Sequence, residues 1–468
     1  MLLIFVLLAV VLAFLWHQLV SRRSKYPTGP LPLPLLGNVH QLELQINKLA
    51  EQLGELGKQY GGIFTLWMPG PHVVITDYKL LVEALVNNGE ALSGRPEQYI
   101  VQLMNGGCYG IGLANGPLWR EHRRFALSVL RDLGFGRNII EQQVNLHLDR
   151  LLVHFHEEIR SKTDDGDDGN SAVLRIRYPL QASLDSLIGS LIFSHSYELT
   201  GDSRLDEMIE TTEKAMELFA SGAGRLLDIW RHPMLRFVPL YGHFTYDHFT
   251  EWYARATALI QRHVNENERL LKQCPEMEAS NYVVAYLQEM ERRKKYDETV
   301  GSFTQQQLAA SIGSLWVGGT ETTFKTILWA IRCLAIQSEV QERAAAEIDR
   351  VLGGDRRCTM ADRASMPFMQ ACVHETQRVA NVLPINFLHE TTADVHVNEH
   401  FIPKGTTVNP HIYAVLYDER YFPEPREFRP ERFLINSNNG GGLRLDQKLV
   451  DRVVPFSLGK RQCLGPVL

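Results

Sequence analysis

Cysteine is scarce in this chain. The six residues Cys108, Cys274, Cys333, Cys358, Cys372 and Cys463 are scattered, without the spacing of a metal finger or of a disulfide framework. Thiols used this way belong to a reducing compartment. An excess of positive charge is also missing: the formal net charge is −6, which argues against nucleic acid as a partner. No segment repeats at a fixed period, so solenoid and propeller arrays are excluded. The aspartate-rich run 161–171, SKTDDGDDGNS, lacks the spacing and the closing glutamate of an EF-hand and reads as a solvated loop.

What is present begins with an apolar run. Residues 1–16 are unbroken, and the segment continues to Val20 before Ser21-Arg22-Arg23-Ser24-Lys25. About 20 residues of helix match a bilayer core, so 1–21 is expected to be a transmembrane signal anchor. A cleaved signal peptide, the alternative, would begin with charge and end at a small-residue cleavage site, and this segment does neither. The cations lie only on its C-terminal side, which leaves the bulk of the chain in the cytosol. Residues 22–38 are basic and proline-rich, with Pro27, Pro30, Pro32 and Pro34, and read as a stiff hinge that spaces a globular part from the membrane.

The whole chain is 45% hydrophobic, enough for a sizeable core within residues 39–468. Residues 63–68 and 72–76 are strand-like and joined by Pro69-Gly70-Pro71, a hairpin signal. From there to about residue 290 the pattern is mostly helical, and 383–407 alternates as a small sheet does. The expected class is mainly α with small β-sheets. Residues 226–249, rich in aromatics and broken by Pro233 and Pro239, are either core or a membrane-touching lid. Thr304-Gln305-Gln306-Gln307 looks like a capping box opening a helix. No charge occurs between Glu298 and Glu321, so that helix is expected to be buried on most sides.

Several stretches carry chemistry. Residues 455–465, PFSLGKRQCLG, place Cys463 in a short loop among Phe456, Gly459 and Gly465, just after Lys460 and Arg461. Cations and oriented backbone N–H groups help a thiolate stay ionised, glycines let backbone approach a flat ligand closely, and Phe456 can shield the sulfur. Such a cysteine is either an axial ligand for haem iron or a buried structural residue. Gly318-Gly319-Thr320 weakens its helix midway, and Glu321, Thr322 and Thr323 follow at once. An acid and an alcohol in a buried helix are costly unless paired or wet, which suggests proton delivery as an alternative to simple packing. Glu375 and Arg378 share one helix face at i,i+3, and Arg432 can complete a buried network with them. Trp119 and Arg123 also share a face and can grip one anionic group, or lie on a solvated basic face; Arg95 has the same ambiguity. His389 alone reads as structural, exposed or metal-binding.

GGTETT, E-x-x-R, P-E-R-F and F-x-x-G-x-R-x-C-x-G follow one another in the order and spacing of the cytochromes P450, and SGRP, WREHRRFALSVLR, EIDRVLG and FIPKGTTV look most like the microsomal, family-2-like branch. The resemblance covers nearly the whole chain. It implies the P450 fold, preceded by a single N-terminal transmembrane helix, with 39–468 as the catalytic domain in the endoplasmic reticulum membrane, facing the cytoplasm. Cys463 would be the thiolate ligand of haem b, with Phe456 and Gly459 shaping its loop. Arg95, Trp119, Arg123, His389 and Arg461 would bond the haem propionates. Thr322 with Glu321 would relay protons to dioxygen, and Glu375, Arg378 and Arg432 would be structural. Substrate would lie near 107–113, 315–319 and 383–387. Electrons would come from NADPH through NADPH–cytochrome P450 reductase, docking at Arg120, Arg124, Arg131 and Lys460, with cytochrome b5 as a second candidate donor.

Two departures stand out. Gly318 replaces the family's usual Ala and should loosen the turn without abolishing the relay. Past Gly465 come only Pro466-Val467-Leu468, where the family has a helix under the haem and a last sheet segment. The chain is therefore expected to be incomplete at this end and to retain haem poorly. The leading function is a monooxygenase acting on a lipophilic substrate. A haem-thiolate isomerase rearranging peroxides, and a membrane-anchored form without stable haem, are the competing readings.

Overall fold

The computed structural model describes residues 20–467 apart from 35, 44, 69, 100, 103–105, 135–137, 165–172, 221–246, 296–300, 355 and 437–441; before residue 20 it describes only Val6 and Trp16. The expected anchor, nearly all of the 226–249 segment and most of the aspartate-rich loop lie outside the described residues. Among the described residues no helix is long and apolar enough to cross a membrane.

In chain order the longer helices are α1 (Ile46–Tyr60), α2 (Gly116–Asp132), α3 (Asn138–Asp164), α4 (Arg177–Phe193), α5 (Ser203–Ala220), α6 (His248–Gln273), α7 (Tyr282–Lys295), α8 (Gln305–Gly319), α9 (Glu321–Ile336), α10 (Ser338–Leu352) and α11 (Pro367–Ala380). The strands are β1 (Ile63–Met68), β2 (Gly70–Ile75), β3 (His389–Glu390), β4 (Val395–Val397), β5 (His400–Ile402), β6 (Thr407–Pro410), β7 (Leu434–Asn436) and β8 (Leu443–Leu445). The class is mainly α with small sheets. Two compact units emerge, one drawn chiefly from Met1–Tyr99 and Pro367–Cys463, the other from Ile100–Phe219 and Met234–Met366.

The first unit is built on a four-stranded sheet in the order β1-β2-β6-β3. β1 and β2 form the expected antiparallel hairpin, Ile63 opposite Ile75, and β6 adds parallel to β2. Side chains alternate across a strand. Phe64, Leu66 and Val74 therefore face Leu49 and Leu53 of α1, while Ile63, Val73 and Ile75 join Leu85, Val408 and Val415 on the other face. The proline-rich segment runs along β1: Thr65 N donates to Thr28 O at 3.4 Å and Asn38 N to Trp67 O at 2.7 Å. A Cβ on Gly29 or Gly37 would fall 2.1 or 1.9 Å from a β1 carbonyl oxygen, so only glycine permits that approach.

The second unit is helical. Ile111, Tyr282, Tyr286, Phe303, Leu308, Ile312 and Trp316 are among its buried core residues. Thr304 caps α8, accepting from Gln307 N at 3.1 Å. The expected capping box closes only halfway. The Gln307 carboxamide instead accepts from Gly110 N at 2.9 Å and donates to Ser311 Oγ, because a buried amide is satisfied by whichever backbone group packing brings to it.

Candidate functional site

In the first unit, the cysteine loop is a succession of tight turns. Ser457 and Gly459 have positive φ (60° and 73°), Gln462 N donates to Gly459 O at 3.1 Å, and Cys463 N to Phe456 O at 3.0 Å. A Cβ on Gly459 would fall 1.8 Å from Leu85 O, so this position must be glycine for the loop to lie on the segment that carries Leu85. Lys460 pairs with Glu90. The chain thus turns back at Cys463 and leaves the thiol exposed. Phe456 is exposed as well, so the polypeptide alone does not bury the sulfur.

The segment Leu92–Arg95 gathers three of the expected haem-binding residues by backbone contacts. Arg461 Nε donates to Ser93 O at 2.7 Å, His389 Nδ1 lies 2.7 Å from Leu92 O, and Arg95 Nη1 donates to Leu388 O at 2.7 Å. All three are buried. Burial, then the charges of Arg95 and Arg461, push His389 down to about 3, so the ring is neutral. Its tautomer follows from its partner. A carbonyl oxygen only accepts, so Nδ1 holds the proton and Nε2 offers a lone pair. Two guanidinium groups beside an uncharged ring form a cationic cluster suited to carboxylates, but His389 can donate to one only after gaining a second proton.

The same unit brings Glu375, Arg378 and Arg432 together. Arg378 Nε and Nη2 reach the two Glu375 oxygens at 2.7 and 2.8 Å, with both side chains fully buried. Arg432 Nε donates to Glu375 Oε1 at 3.0 Å, and so does Arg429 N at 2.8 Å. The remaining guanidinium N–H groups go to the carbonyls of Leu416, Pro423, Glu424, Pro425 and Glu427. Buried charges persist only when paired and hydrogen-bonded in this way.

In the second unit, α2 distributes its charged run over three faces. Trp119 is buried and Arg123 half-buried, with the guanidinium 6.0 Å from the indole centroid. His122, which the sequence does not mark, is fully buried 3.0 Å from Ser302 Oγ, with its ring against Phe303 and Tyr286. Arg120, Arg124 and Arg131 are exposed.

The helix opened by Thr304 is interrupted at Thr320, where α8 gives way to α9. Thr322 Oγ1 donates to Gly318 O at 2.7 Å and Thr320 Oγ1 to Trp316 O at 3.0 Å, side-chain bonds that compete with the helical ladder and bend it. Glu321 is buried and paired: Lys325 Nζ is 2.9 Å from Oε2, and Gln181 Nε2 of α4 donates to Oε1 at 3.3 Å. Gln181, Lys325 and the neighbouring Asp185 belong to no motif legible in the sequence. The available signal was a lone acid within the apolar run 180–193. Of the stretches expected near substrate, 107–113 packs on the first half of α8: a Cβ on Gly110 would fall 2.6 Å from Ala310 O.

Against known proteins, the family model for Cytochrome P450 matches residues 27–468. Cytochrome P450 2D28 of Mesocricetus auratus is 34% identical over 468 residues, covering 99% of this chain and 87% of that protein. Cytochrome P450 2C28 of the same organism is 33% identical over 473 residues, with 100% and 89% covered. Probable cytochrome P450 CYP36A1 of Caenorhabditis elegans is 32% identical over 471 residues, with 98% and 88% covered.

Proposed function

The chain belongs to the cytochrome P450 family, and from that premise we propose that it inserts one oxygen atom of O2 into a lipophilic organic substrate (a steroid, a fatty acid or a foreign lipophile), with NADPH electrons delivered by NADPH–cytochrome P450 reductase and cytochrome b5 as a second donor. As a family member it is a haem monooxygenase, and haem b, when bound, supplies dioxygen activation. The observation that supports the reading most directly is an exposed thiol on a glycine-locked loop in the same unit as two buried guanidinium groups. A soft anionic sulfur for iron and cations for carboxylates is the donor set that haem requires, so the residues present fit the group.

Each residue then has a task. Cys463 holds the iron as thiolate, and Phe456 and Gly459 shape its loop. Arg95 and Arg461 hold the propionates by charge, with Trp119 and Arg123 contributing N–H donors and His389 doing so once a proton is taken up at Nε2. Thr322 holds a proton at its hydroxyl, whose own bond runs to Gly318 O, and Glu321 resupplies it. Glu375, Arg378 and Arg432 make a rigid support and take no part in proton transfer. Residues 107–113, 315–319 and 383–387 bind the substrate. Residues 1–21 anchor the protein in the endoplasmic reticulum membrane with the catalytic part facing the cytoplasm.

Cys463→Ser tests the ligand assignment. The substituted chain should lose the red-shifted Soret band of the ferrous–CO complex that a thiolate gives, and a persistent band would overturn the assignment. Turnover that requires reductase and NADPH separates a monooxygenase from a peroxide isomerase. A buried Glu321 next to Thr322 favours the former, since rearranging a peroxide needs no proton delivery.

A further inference from the structure

Asp185 lies in the middle of α4, 2% exposed, in the helical run RYPLQASLDSLIGSLIF. Its Oδ1 is buried and has no hydrogen-bond partner. Gln181 is four residues earlier, so amide and carboxyl share one face of α4, and that face meets α9, because Gln181 donates to Glu321 Oε1 at 3.3 Å. The two acids are therefore neighbours among buried side chains, with solvent reaching them at the Lys325 edge. Glu321 has an amide donor and the Lys325 ammonium at 2.9 Å. Asp185 has neither.

Two carboxyl groups in one buried place cannot both stay ionised, and the less compensated one keeps the proton. We propose that Asp185 is a neutral carboxylic acid in the working enzyme and a positioning residue for proton delivery, storing the proton that re-protonates Glu321. This rests on the role given to Glu321 above. In the step, the O–H bond at Asp185 breaks, one forms at the Glu321 carboxylate, and the negative charge passes to Asp185. The pair regains a proton from water at the half-exposed Lys325 edge.

The surroundings agree. Burial first, and then the Glu321 charge, push Asp185 up to about 8. Among the described residues, no other element packed on α4 cancels this. On α3, burial holds His147 low, helped by Arg150; on α6, His263 is pushed down to about 4. On α7, Tyr282 is pushed up, as is Tyr197 beyond the end of α4, by burial and then by Asp185 itself. α8 carries no ionisable side chain. Between the ordinary carboxylate range and pH about 8 the folded chain keeps a proton that the unfolded chain has released. Stability should therefore fall as pH rises through that window.

The test uses the haem-loaded full chain. Infrared difference spectra should show a protonated-carboxyl C=O stretch at pH 7 that disappears near pH 8, is absent in Asp185→Asn, and titrates at lower pH in Glu321→Gln, where the repelling charge is gone. Asp185→Asn should also remove the fall in unfolding temperature across the same window. With purified reductase, peroxide released per NADPH consumed should rise above pH about 8 in the natural chain. That ratio should be high and flat in Asp185→Asn and recover in Asp185→Glu. An Asp185→Asn chain with an unchanged carboxyl band, or with the natural pH profile of peroxide release, overturns the proposal. If Glu321→Gln also leaves peroxide release unchanged, the relay role of Glu321 fails instead.

Discussion

At Gly459 one added methyl group decides whether the cysteine loop closes. Its φ of 73° is left-handed, which for any other residue costs roughly 1–2 kcal/mol. The Cβ would also strike the Leu85 carbonyl, a backbone atom that no side-chain rotation can move aside. Gly459→Ala is expected to release haem several-fold faster, read as transfer to an apoprotein scavenger. His389 is decided by a proton. Its ring is neutral with Nδ1–H bound to Leu92 O, so carboxylate binding at Nε2 requires one proton to be taken up, on the ring or on the carboxyl. Haem affinity should then weaken as pH rises from 6 to 8, by up to about tenfold per unit, and His389→Asn should flatten that dependence.

At the scale of the element, the break between α8 and α9 comes from hydroxyls as much as from glycines. Thr320 and Thr322 each bond a carbonyl four residues back, and the two preceding glycines do little to resist the bend. They are not equivalent. A Cβ on Gly318 meets nothing within 4 Å, whereas one on Gly319 would sit 3.0 Å from Ile188 Cδ1. Gly318→Ala should therefore stabilise the chain by about 0.5–1 kcal/mol, the usual gain over glycine in a helix, visible as a higher denaturant midpoint at unchanged slope. Gly319→Ala should bring little or no gain, since Ile188 must give way.

At the scale of the whole molecule, the Glu375–Arg378 pair of α11 is where distant segments converge: Glu375 accepts from Arg429 N and Arg432, and Arg378 donates to the carbonyls of Leu416, Pro425 and Glu427. Glu375→Ala would leave Arg378 fully buried without its counter-ion, and breaking such a pair costs about 3–5 kcal/mol. Most of the folded yield should be lost, as read by thermal unfolding and soluble expression. Charge acts over longer range. The chain carries a net charge of −6, yet α2 exposes Arg120, Arg124 and Arg131, a local reversal that would steer an acidic partner. Reversing Arg120 and Arg124 to Glu should weaken reductase binding and reduce its salt dependence; an unchanged affinity and salt slope would place docking elsewhere.

The hairpin at 63–75, the helix begun by Thr304, its break after the glycine pair and the pairing of Glu375 with Arg378 could all be read along the chain. Each depends on neighbours within a few residues, where periodicity, capping and turn chemistry act. The family could be read too, because its motifs are contiguous words. What needed the tertiary structure was every contact between segments far apart in sequence. Gln307 abandons half its capping box for Gly110, Leu85 forces glycine at 459, and Leu92 O sets the tautomer of His389. Asp185 meets Glu321 across 136 positions. Burial and electric fields arise from packing, which residue order does not record, so the protonation of these acids and rings could be decided only once the chain had folded.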